Sequence, residues 1–209
     1  MGVIVVEAAG NGSVNLDQPG CNRLFDRSYR DSGAIIVGAG DPGQHARLSF
    51  SSYGSRVDVQ GWGGSVTTAG YGAAFDPGDI RQRYTHSFGG TSSASPIVTG
   101  AVLALQGALK ARGLALATPA EIRETLVVTG TPQTGTEHIG PLPDIRAALD
   151  RLLTNRGARP EWRPWASRGG NLSAYPECEQ TSPRIDCWAR STSGTLLWNR
   201  SADGNAWSG

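Results

Sequence analysis

A turn of small and hydroxyl-bearing residues, Phe88-Gly89-Gly90-Thr91-Ser92-Ser93-Ala94-Ser95-Pro96, runs directly into the apolar segment Ile97-Val98-Thr99-Gly100-Ala101-Val102-Leu103-Ala104-Leu105. No charged side chain follows this turn until Lys110. Proline is favoured in the first turn of a helix, where its missing N–H is not needed, so Pro96 predicts a helix start. Gly113 predicts the helix end, because glycine commonly follows the last helical turn.

This helix and the turn before it are suited to stabilise negative charge. A helix that is apolar on all sides is predicted to be buried. The free N–H groups and the dipole at its amino end favour an anion. A serine on the turn could therefore attack a carbonyl group while backbone N–H groups hold the resulting oxyanion. The alternative is a Ser/Thr cap on an ordinary core helix.

The sequence of the turn carries a family signature. Gly90-Thr91-Ser92-Ser93-Ala94-Ser95-Pro96 resembles the G-T-S-x-A-S-P motif around the nucleophile of subtilisin-like serine proteases, and every specified position matches. The resemblance implies that Ser92 is the nucleophile of a serine endopeptidase that hydrolyses polypeptide substrates. It also implies an α/β fold, in which a subtilisin-like parallel sheet is flanked by helices and the central helix follows Ser92.

A second motif follows Val3-Ile4-Val5-Val6, a run typical of a buried parallel strand. By itself, Asn11-Gly12 predicts a tight turn. The segment Ala8-Ala9-Gly10-Asn11, however, resembles the A-A-G-N segment that ends a core strand in the family. That resemblance implies that the side-chain amide of Asn11 belongs to the oxyanion hole. It also implies that the small residues before it line the edge of the pocket for a substrate side chain, namely Ala8, Ala9 and Gly10.

The next segments predict further strands. Residues 34–39, Ala-Ile-Ile-Val-Gly-Ala, indicate a buried strand and residues 66–69 a short one, before a loop insertion at 70–83. Asp31-Ser32-Gly33 has the letters of the family's catalytic aspartate motif, but there the aspartate ends a strand, whereas Asp31 precedes one. We therefore expect Asp31 in a turn. Residues 48–63 resemble a further family segment and depart from it at Gln60-Gly61-Trp62, which we assign to a surface corner.

The resemblance to the protease family runs from about residue 3 to residue 153. Two further helices are predicted to begin near Thr118-Pro119 and Pro143-Asp144. We interpret residues 1–153 as a partial subtilisin-like peptidase domain, 154–161 as a linker and 162–209 as a partial β-propeller repeat.

The last segment differs in composition, since five of the six tryptophans lie beyond residue 161. Residues 185–198 alternate around a Ser-Gly turn, which is a β-hairpin pattern. This segment resembles the repeat of lectin-type β-propellers, although Cys187 and Ser193 replace its usual valine and aspartate. The resemblance implies a short, propeller-like all-β segment that binds glycans. The alternative role of these tryptophans is packing in an aromatic core.

A serine nucleophile needs a base and an acid that orients it, and neither is evident. The three histidines are His45, His86 and His138, and none lies in the family's H-G-T helix start. Two explanations follow. Either Met1 is an internal residue and the chain is the C-terminal part of a protease whose aspartate and histidine are encoded upstream, or the chain is a non-catalytic remnant whose last segment binds a glycan or cell surface.

Composition excludes some partners and leaves others open. The net charge of +1 gives no reason to expect nucleic acid or an anionic membrane surface, and we expect no membrane span. We predict no metal site and no cofactor; family members often bind calcium, but no acidic cluster has a convincing ligand spacing. Cys178 and Cys187 could form a disulfide and leave Cys21 alone, or all three could be free thiols. The resemblance implies secretion.

Overall fold

The structure is a computed structural model that describes residues 2–158 and four later strands, Glu177–Thr181, Arg184–Arg190, Leu196–Ser201 and Trp207–Ser208. The chain divides into two compact units, Met1–Ala158 and Arg159–Gly209. The boundaries 1–153, 154–161 and 162–209 stay a prediction. Residues 159–161 of the predicted linker, as well as Trp162 and Trp165, lie outside the described residues.

The first unit is built on a parallel sheet. Its strands are β1 (Val6–Ala8), β2 (Ile35–Gly40) and β3 (Val59–Trp62), in the order β1-β2-β3. Val6 pairs with Ile35, and Val37 pairs with Val59. A separate antiparallel pair follows, formed by β4 (Val66–Ala69) and β5 (Tyr84–Phe88). The α/β class with a parallel sheet is therefore confirmed, and β2 and β4 lie where the sequence predicted strands.

The first strand differs from its prediction, because it begins at Val6 and is only partly buried. Ile4 and Val6 pack against the core, whereas Val3 and Val5 expose 83% and 44% of their surface. The reason is that β1 lies at the end of the described sheet order, and the long helix of this unit covers one of its faces. In contrast, all six residues of β2 are buried.

The helices are α1 (Thr91–Ala111), α2 (Pro119–Thr129) and α3 (Ile145–Thr154). Thr118 caps α2 through a hydrogen bond from the N–H of Glu121, and Asp144 caps α3 through one from the N–H of Ala147. Both predicted starts are confirmed. The end of α1 is confirmed as well. Gly113 has a φ of +67°, and the N–H of Leu114 donates a hydrogen bond to the carbonyl oxygen of Leu109.

The start of α1 was predicted five residues too late. The helix begins at Thr91, and Pro96 lies inside it. Its first N–H groups are capped from a distance, because Oδ1 of Asn11 accepts a hydrogen bond from the N–H of Thr91. The hydroxyl-rich turn is therefore the first turn of the helix itself. Pro96 cannot donate to the carbonyl of Ser92, but Ser92 is exposed and its carbonyl can bind water.

One face of α1 packs on the sheet and the opposite face is exposed, so the prediction of a helix buried on all sides is wrong. Val98, Val102 and Leu105 join the core, whereas Leu103 exposes 66% of its surface. Gly61 allows this packing, since a Cβ there would lie 2.5 Å from Ala94 O. By length and composition α1 could cross a membrane, but it packs here as a helix on a sheet.

An ionic cluster lies at the amino end of β2, with Arg56 and Asp58 buried at its centre and the more exposed Arg27, Asp31 and Arg123 around them. The carboxylate of Asp58 accepts hydrogen bonds from Nη1 of Arg56 (2.6 Å) and from the N–H of Ile36 (2.8 Å), and it also pairs with Arg27. Burial lowers the pKa of the Arg56 guanidinium. Removing the carboxylate of Asp58 would therefore leave a cation in the interior.

Asp31 lies in a turn, as the sequence predicted. Its Oδ1 accepts a hydrogen bond from the N–H of Gly33, and its carboxylate binds Arg123 at 2.6 Å. The hydrogen bond from Arg123 holds the pKa of Asp31 well below its usual range. Since Asp31 precedes β2, it stands at the amino edge of the parallel sheet.

Gln60 corrects the assignment of residues 60–62 to a surface corner. The side chain of Gln60 is buried, and its Nε2 donates to the backbone oxygens of His45 (3.1 Å) and Gly140 (2.9 Å). The two carbonyl groups come from loops distant in sequence, and the buried amide of Gln60 links them through its two hydrogen bonds. Only Trp62 of the three residues is exposed.

The second unit contains one antiparallel sheet. Its strands are β6 (Glu177–Thr181), β7 (Arg184–Arg190), β8 (Leu196–Ser201) and β9 (Trp207–Ser208), in the order β6-β7-β8-β9. The predicted hairpin is confirmed, because β7 and β8 pair antiparallel with Trp188 opposite Trp198. Its turn, including Ser193, lies outside the described residues.

Candidate active site

The candidate site lies at the carboxyl ends of the parallel strands, the edge at which ligands bind in open α/β sheets. Gly10 and Asn11 follow β1 and Gly63 follows β3. The amino end of α1 contacts both segments: the N–H of Gly10 donates to Oγ1 of Thr91 (3.2 Å), and the N–H of Gly90 donates to Gly63 O (2.8 Å). The fold thus brings the two predicted motifs together, although they are about 80 residues apart.

Thr91 determines which way the amide of Asn11 faces. Its N–H and its Oγ1 both donate to Oδ1 of Asn11, each at 2.9 Å. A backbone N–H can only donate, so the atom it meets must be the amide oxygen. The Nδ2 group is therefore held on the other side, where it makes no hydrogen bond within residues 2–158. Thr91 itself is buried, and its role in orienting Asn11 was missed in the sequence.

The hydroxyl of Ser92 and the amide nitrogen of Asn11 converge on one point. A Cβ atom placed on Gly90 would lie 3.1 Å from Oγ of Ser92 and 3.3 Å from Nδ2 of Asn11. Gly90 has a φ of +103°, a conformation that residues with a side chain rarely adopt. Glycine at position 90 therefore keeps open the space between the hydroxyl and the amide. Both Ser92 and Asn11 are exposed, so this space is open to a ligand.

A second free donor belongs to Ser92 itself. The N–H of Ser92 lies in the first turn of α1, where no preceding helical carbonyl is available, and it makes no hydrogen bond with a residue in the range 2–158. Together with Nδ2 of Asn11, it gives two free N–H donors beside an exposed hydroxyl. Two donors at the positive end of a helix can stabilise a developing oxyanion.

The residues predicted as the pocket edge lead up to Asn11. Ala8 ends β1 and is exposed, and Ala9 donates its N–H to Val37 O at 2.9 Å. Gly10 has a φ of +97°, and both of its backbone polar groups are hydrogen-bonded. Its N–H donates to Oγ1 of Thr91, and its carbonyl oxygen accepts from the N–H of Ser52. The backbone of this segment is therefore fixed where it approaches the candidate site.

The three histidines do not join this arrangement. His86 is exposed on β5, Nε2 of His138 lies 3.0 Å from Val57 O, and His45 is in the loop after β2. Within residues 2–158, no hydrogen bond links Oγ of Ser92 to any of them. The described residues also contain no group of three or more His, Cys, Asp or Glu side chains placed to hold a metal ion.

Comparison with known proteins identifies the family. The sequence profile of the Subtilase family matches residues 1–149. The chain belongs to the subtilase family. It is 35% identical, over 131 residues, to the extracellular serine proteinase of Thermus sp. (strain Rt41A), which covers 63% of this chain and 27% of that relative. This subtilase chain thus spans about a quarter of the length of the curated relative it matches.

Solved structures share the subtilase fold of the first unit. A patellamide maturation protease, PatA, is 25% identical to this chain, and the two structures superpose with a TM-score of 0.53. The superposition covers 75% of this chain and 53% of the PatA chain. A protease from Pseudoalteromonas arctica PAMC 21717 is 26% identical to this chain, with a TM-score of 0.50. That superposition covers 72% of this chain and 43% of the Pseudoalteromonas chain. A lanthipeptide protease with a TM-score of 0.54 is only 18% identical, and so supports the fold alone.

Proposed function

We propose that this chain is the C-terminal part of the catalytic domain of a secreted, subtilisin-type serine endopeptidase. In this proposal Ser92 is the nucleophile, and Nδ2 of Asn11 and the N–H of Ser92 form the oxyanion hole. The supporting observation is the convergence of Oγ of Ser92 and Nδ2 of Asn11 on the space that Gly90 leaves open. Membership of the subtilase family supports the same reaction class.

The proposed reaction begins when Oγ of Ser92 attacks the carbonyl carbon of the scissile peptide bond. The C=O π electrons move to the oxygen, which becomes an oxyanion between the two N–H donors. The serine proton passes to a base and then to the amine nitrogen as the oxyanion collapses and the C–N bond breaks. Water then attacks the acyl-serine, releases the second product and restores the Ser92 hydroxyl. Because the three histidines of the chain all lie in residues 2–158 and none is hydrogen-bonded to Ser92, we propose that the base and its orienting acid lie outside this chain, and that the chain is inactive alone.

The proposed substrate is a polypeptide. An extended peptide has a carbonyl group to place between Ser92 and Asn11 and a side chain to place beside Ala8, Ala9 and Gly10. These three residues are small, so they leave room for that side chain next to β1. The site contains no metal-binding arrangement of described side chains, and the proposed reaction requires none.

The proposal is tested with a fluorophosphonate, a probe that reacts with activated serines. In the full-length gene product, mass spectrometry is expected to place one adduct on Ser92, and Ser92→Ala should abolish it. Ser49→Ala, which removes another exposed hydroxyl, should leave labelling intact. The 209-residue chain alone should stay unlabelled, because no base is present to activate the serine.

Two results would contradict this proposal in different ways. A full-length protein that is unlabelled at Ser92 would rule out the serine as an activated nucleophile. Rapid labelling of the 209-residue chain at Ser92 would show that a residue of this chain supplies the base after all.

Secretion implies an oxidising environment, which gives a prediction for the cysteines. Cys178 and Cys187 stand directly opposite each other in the register of β6 and β7. Opposite residues in an antiparallel pair have Cα atoms about 4.5–5.5 Å apart, within the range that a disulfide spans. When the 209-residue chain is made in an oxidising medium and then denatured, we expect one titratable thiol before reduction and three after it. Cys21→Ser should remove the single thiol, and three thiols without reduction would contradict the pairing.

For the second unit we propose one blade of a lectin-type β-propeller with a glycan as ligand. The sheet order β6-β7-β8-β9 supports this proposal, since a propeller blade is a four-stranded antiparallel sheet. One blade cannot bury both of its faces, so glycan binding would require further blades.

A further inference from the structure

A cavity of about 320 Å³ lies beside the amino end of α1. It is formed between β5 and the inserted loop of residues 70–83, and its lining residues are Tyr71, Ala73, Thr85, Ser87, Phe88 and Gly89. None of these six residues is charged. The rings of Tyr71 and Phe88 stack with their centroids 6.1 Å apart, and the hydroxyls of Thr85 and Ser87 are hydrogen-bonded to each other at 3.1 Å. The cavity is therefore uncharged and of mixed polarity, with two stacked aromatic rings beside two hydroxyl groups.

Tyr71, which lines this cavity, has a strained backbone conformation. Its φ is +60°, and it stands between Gly70 and Gly72, whose φ values are +112° and +90°. A left-handed conformation is unfavourable for a bulky residue, and strain of this kind is concentrated at functional sites. Stability does not explain the strain, because Tyr71 exposes 77% of its surface and burial returns little free energy.

The cavity is within reach of a peptide bound at Ser92. Gly89 lines it and precedes Ser92 by three residues, so their Cα atoms are at most about 11 Å apart. A peptide in extended conformation advances about 3.3 Å per residue. A side chain two or three positions from the scissile bond therefore reaches the cavity.

The position of the cavity also indicates which side of the scissile bond it serves. Gly89 and Gly90 lie against Gly63, after β3, whereas Ala9 and Gly10 follow Ala8 at the end of β1, on the other side of the sheet. Asn11 directly follows the region at β1 and Ser92 follows the region at β3, so the proposed oxyanion donors lie where the two regions meet. A peptide crossing Ser92 with one side chain beside β1 thus directs its other half toward β3 and the cavity.

We propose that this cavity is a specificity subsite for a large apolar or aromatic side chain on the leaving-group side of the scissile bond. The subsite rests on the proposed endopeptidase function. Tyr71 and Phe88 form its walls, and the aromatic ring of the substrate packs against them. Tyr71 comes from the loop insertion, so the insertion itself builds the specificity.

The test compares two peptide substrates of the full-length protease, one with Phe and one with Ser at the second and third positions after the scissile bond. The wild type should prefer the Phe peptide by about tenfold or more in kcat/KM, a discrimination typical of an apolar pocket. Tyr71→Gly should remove most of this preference without loss of the fold, because glycine accepts the left-handed conformation. Tyr71→Phe should keep the preference, and so should Ile80→Ser, a change of another exposed residue of the insertion that does not line the cavity.

The outcomes separate this subsite from the proposed function. Loss of preference in Tyr71→Gly with an unchanged kcat/KM on the Ser peptide supports the subsite. A wild type that cleaves both peptides equally, or a Tyr71→Gly variant that keeps the preference or loses activity equally on both, overturns the subsite alone. A wild type that cleaves neither peptide and is unlabelled at Ser92 overturns the endopeptidase function and the subsite with it.

Discussion

Replacing Asn11 by alanine in the full-length protease is expected to lower kcat by about a hundred- to a thousand-fold, a range known from the corresponding subtilisin asparagine rather than deduced from this geometry. The physical reason is that, in the proposed mechanism, Nδ2 of Asn11 donates to an oxygen that carries negative charge only in the transition state. The free N–H of Ser92 remains, so activity should fall without vanishing. The measurement is steady-state hydrolysis of a chromogenic peptide, with kcat and KM determined separately.

Asn11→Asp is the matched control for this change. It keeps the size of the side chain and an oxygen that accepts from Thr91, but it replaces the Nδ2 donor by a carboxylate oxygen. We expect it to lose at least as much in kcat as the alanine variant, since a negative charge opposes the oxyanion. A loss shared equally between kcat and substrate affinity would show that Asn11 binds the ground state as well.

Replacing Asp58 by alanine is expected to destabilise the first unit by about 3–5 kcal/mol, the usual cost of leaving one partner of a buried ion pair alone. Arg56 and Asp58 are both 3% exposed, so Arg56 would keep its charge in the interior without the carboxylate that pairs with it directly. The N–H of Ile36 would lose its acceptor too. Urea unfolding of the 209-residue chain, followed by far-UV circular dichroism, measures the shift in midpoint.

Asp31→Ala provides the control within the same ionic cluster. Its pair with Arg123 is also hydrogen-bonded, but its side chain is 34% exposed and that of Arg123 17%. Water can replace the lost contact, so a loss of about 1 kcal/mol or less is expected. Equal losses for Asp31→Ala and Asp58→Ala would contradict the view that burial makes the Asp58 pair important.

Local sequence signals predicted the elements whose ends are determined locally. The capping residues Thr118 and Asp144 bond within their own helices, and the glycine after α1 acts on the last turn. These features depend on a few neighbouring residues, which a reader of the sequence can see. The juxtaposition of Ser92 and Asn11 followed from the resemblance, since no local pattern connects two segments so far apart.

The features that were predicted wrongly depend on distant partners. The start of α1 is determined by the side chain of Asn11, and Gln60 is buried because two remote carbonyl groups need its amide. The exposed faces of β1 and α1 could not be inferred either, because apolar composition does not show how many neighbours an element has. Tyr71 gave no sequence signal beyond its place between two glycines.

The bond between Asn11 and Thr91 also has a kinetic consequence for the making of the protein. It joins residues separated by 80 positions, so the chain must close a long loop before it forms, and contacts of that span slow folding. Until then the hydroxyl of Ser92 has no amide beside it. In the proposed endopeptidase, the oxyanion hole beside Ser92 would therefore form only as the tertiary structure is completed, which would delay cleavage of neighbouring proteins during biosynthesis.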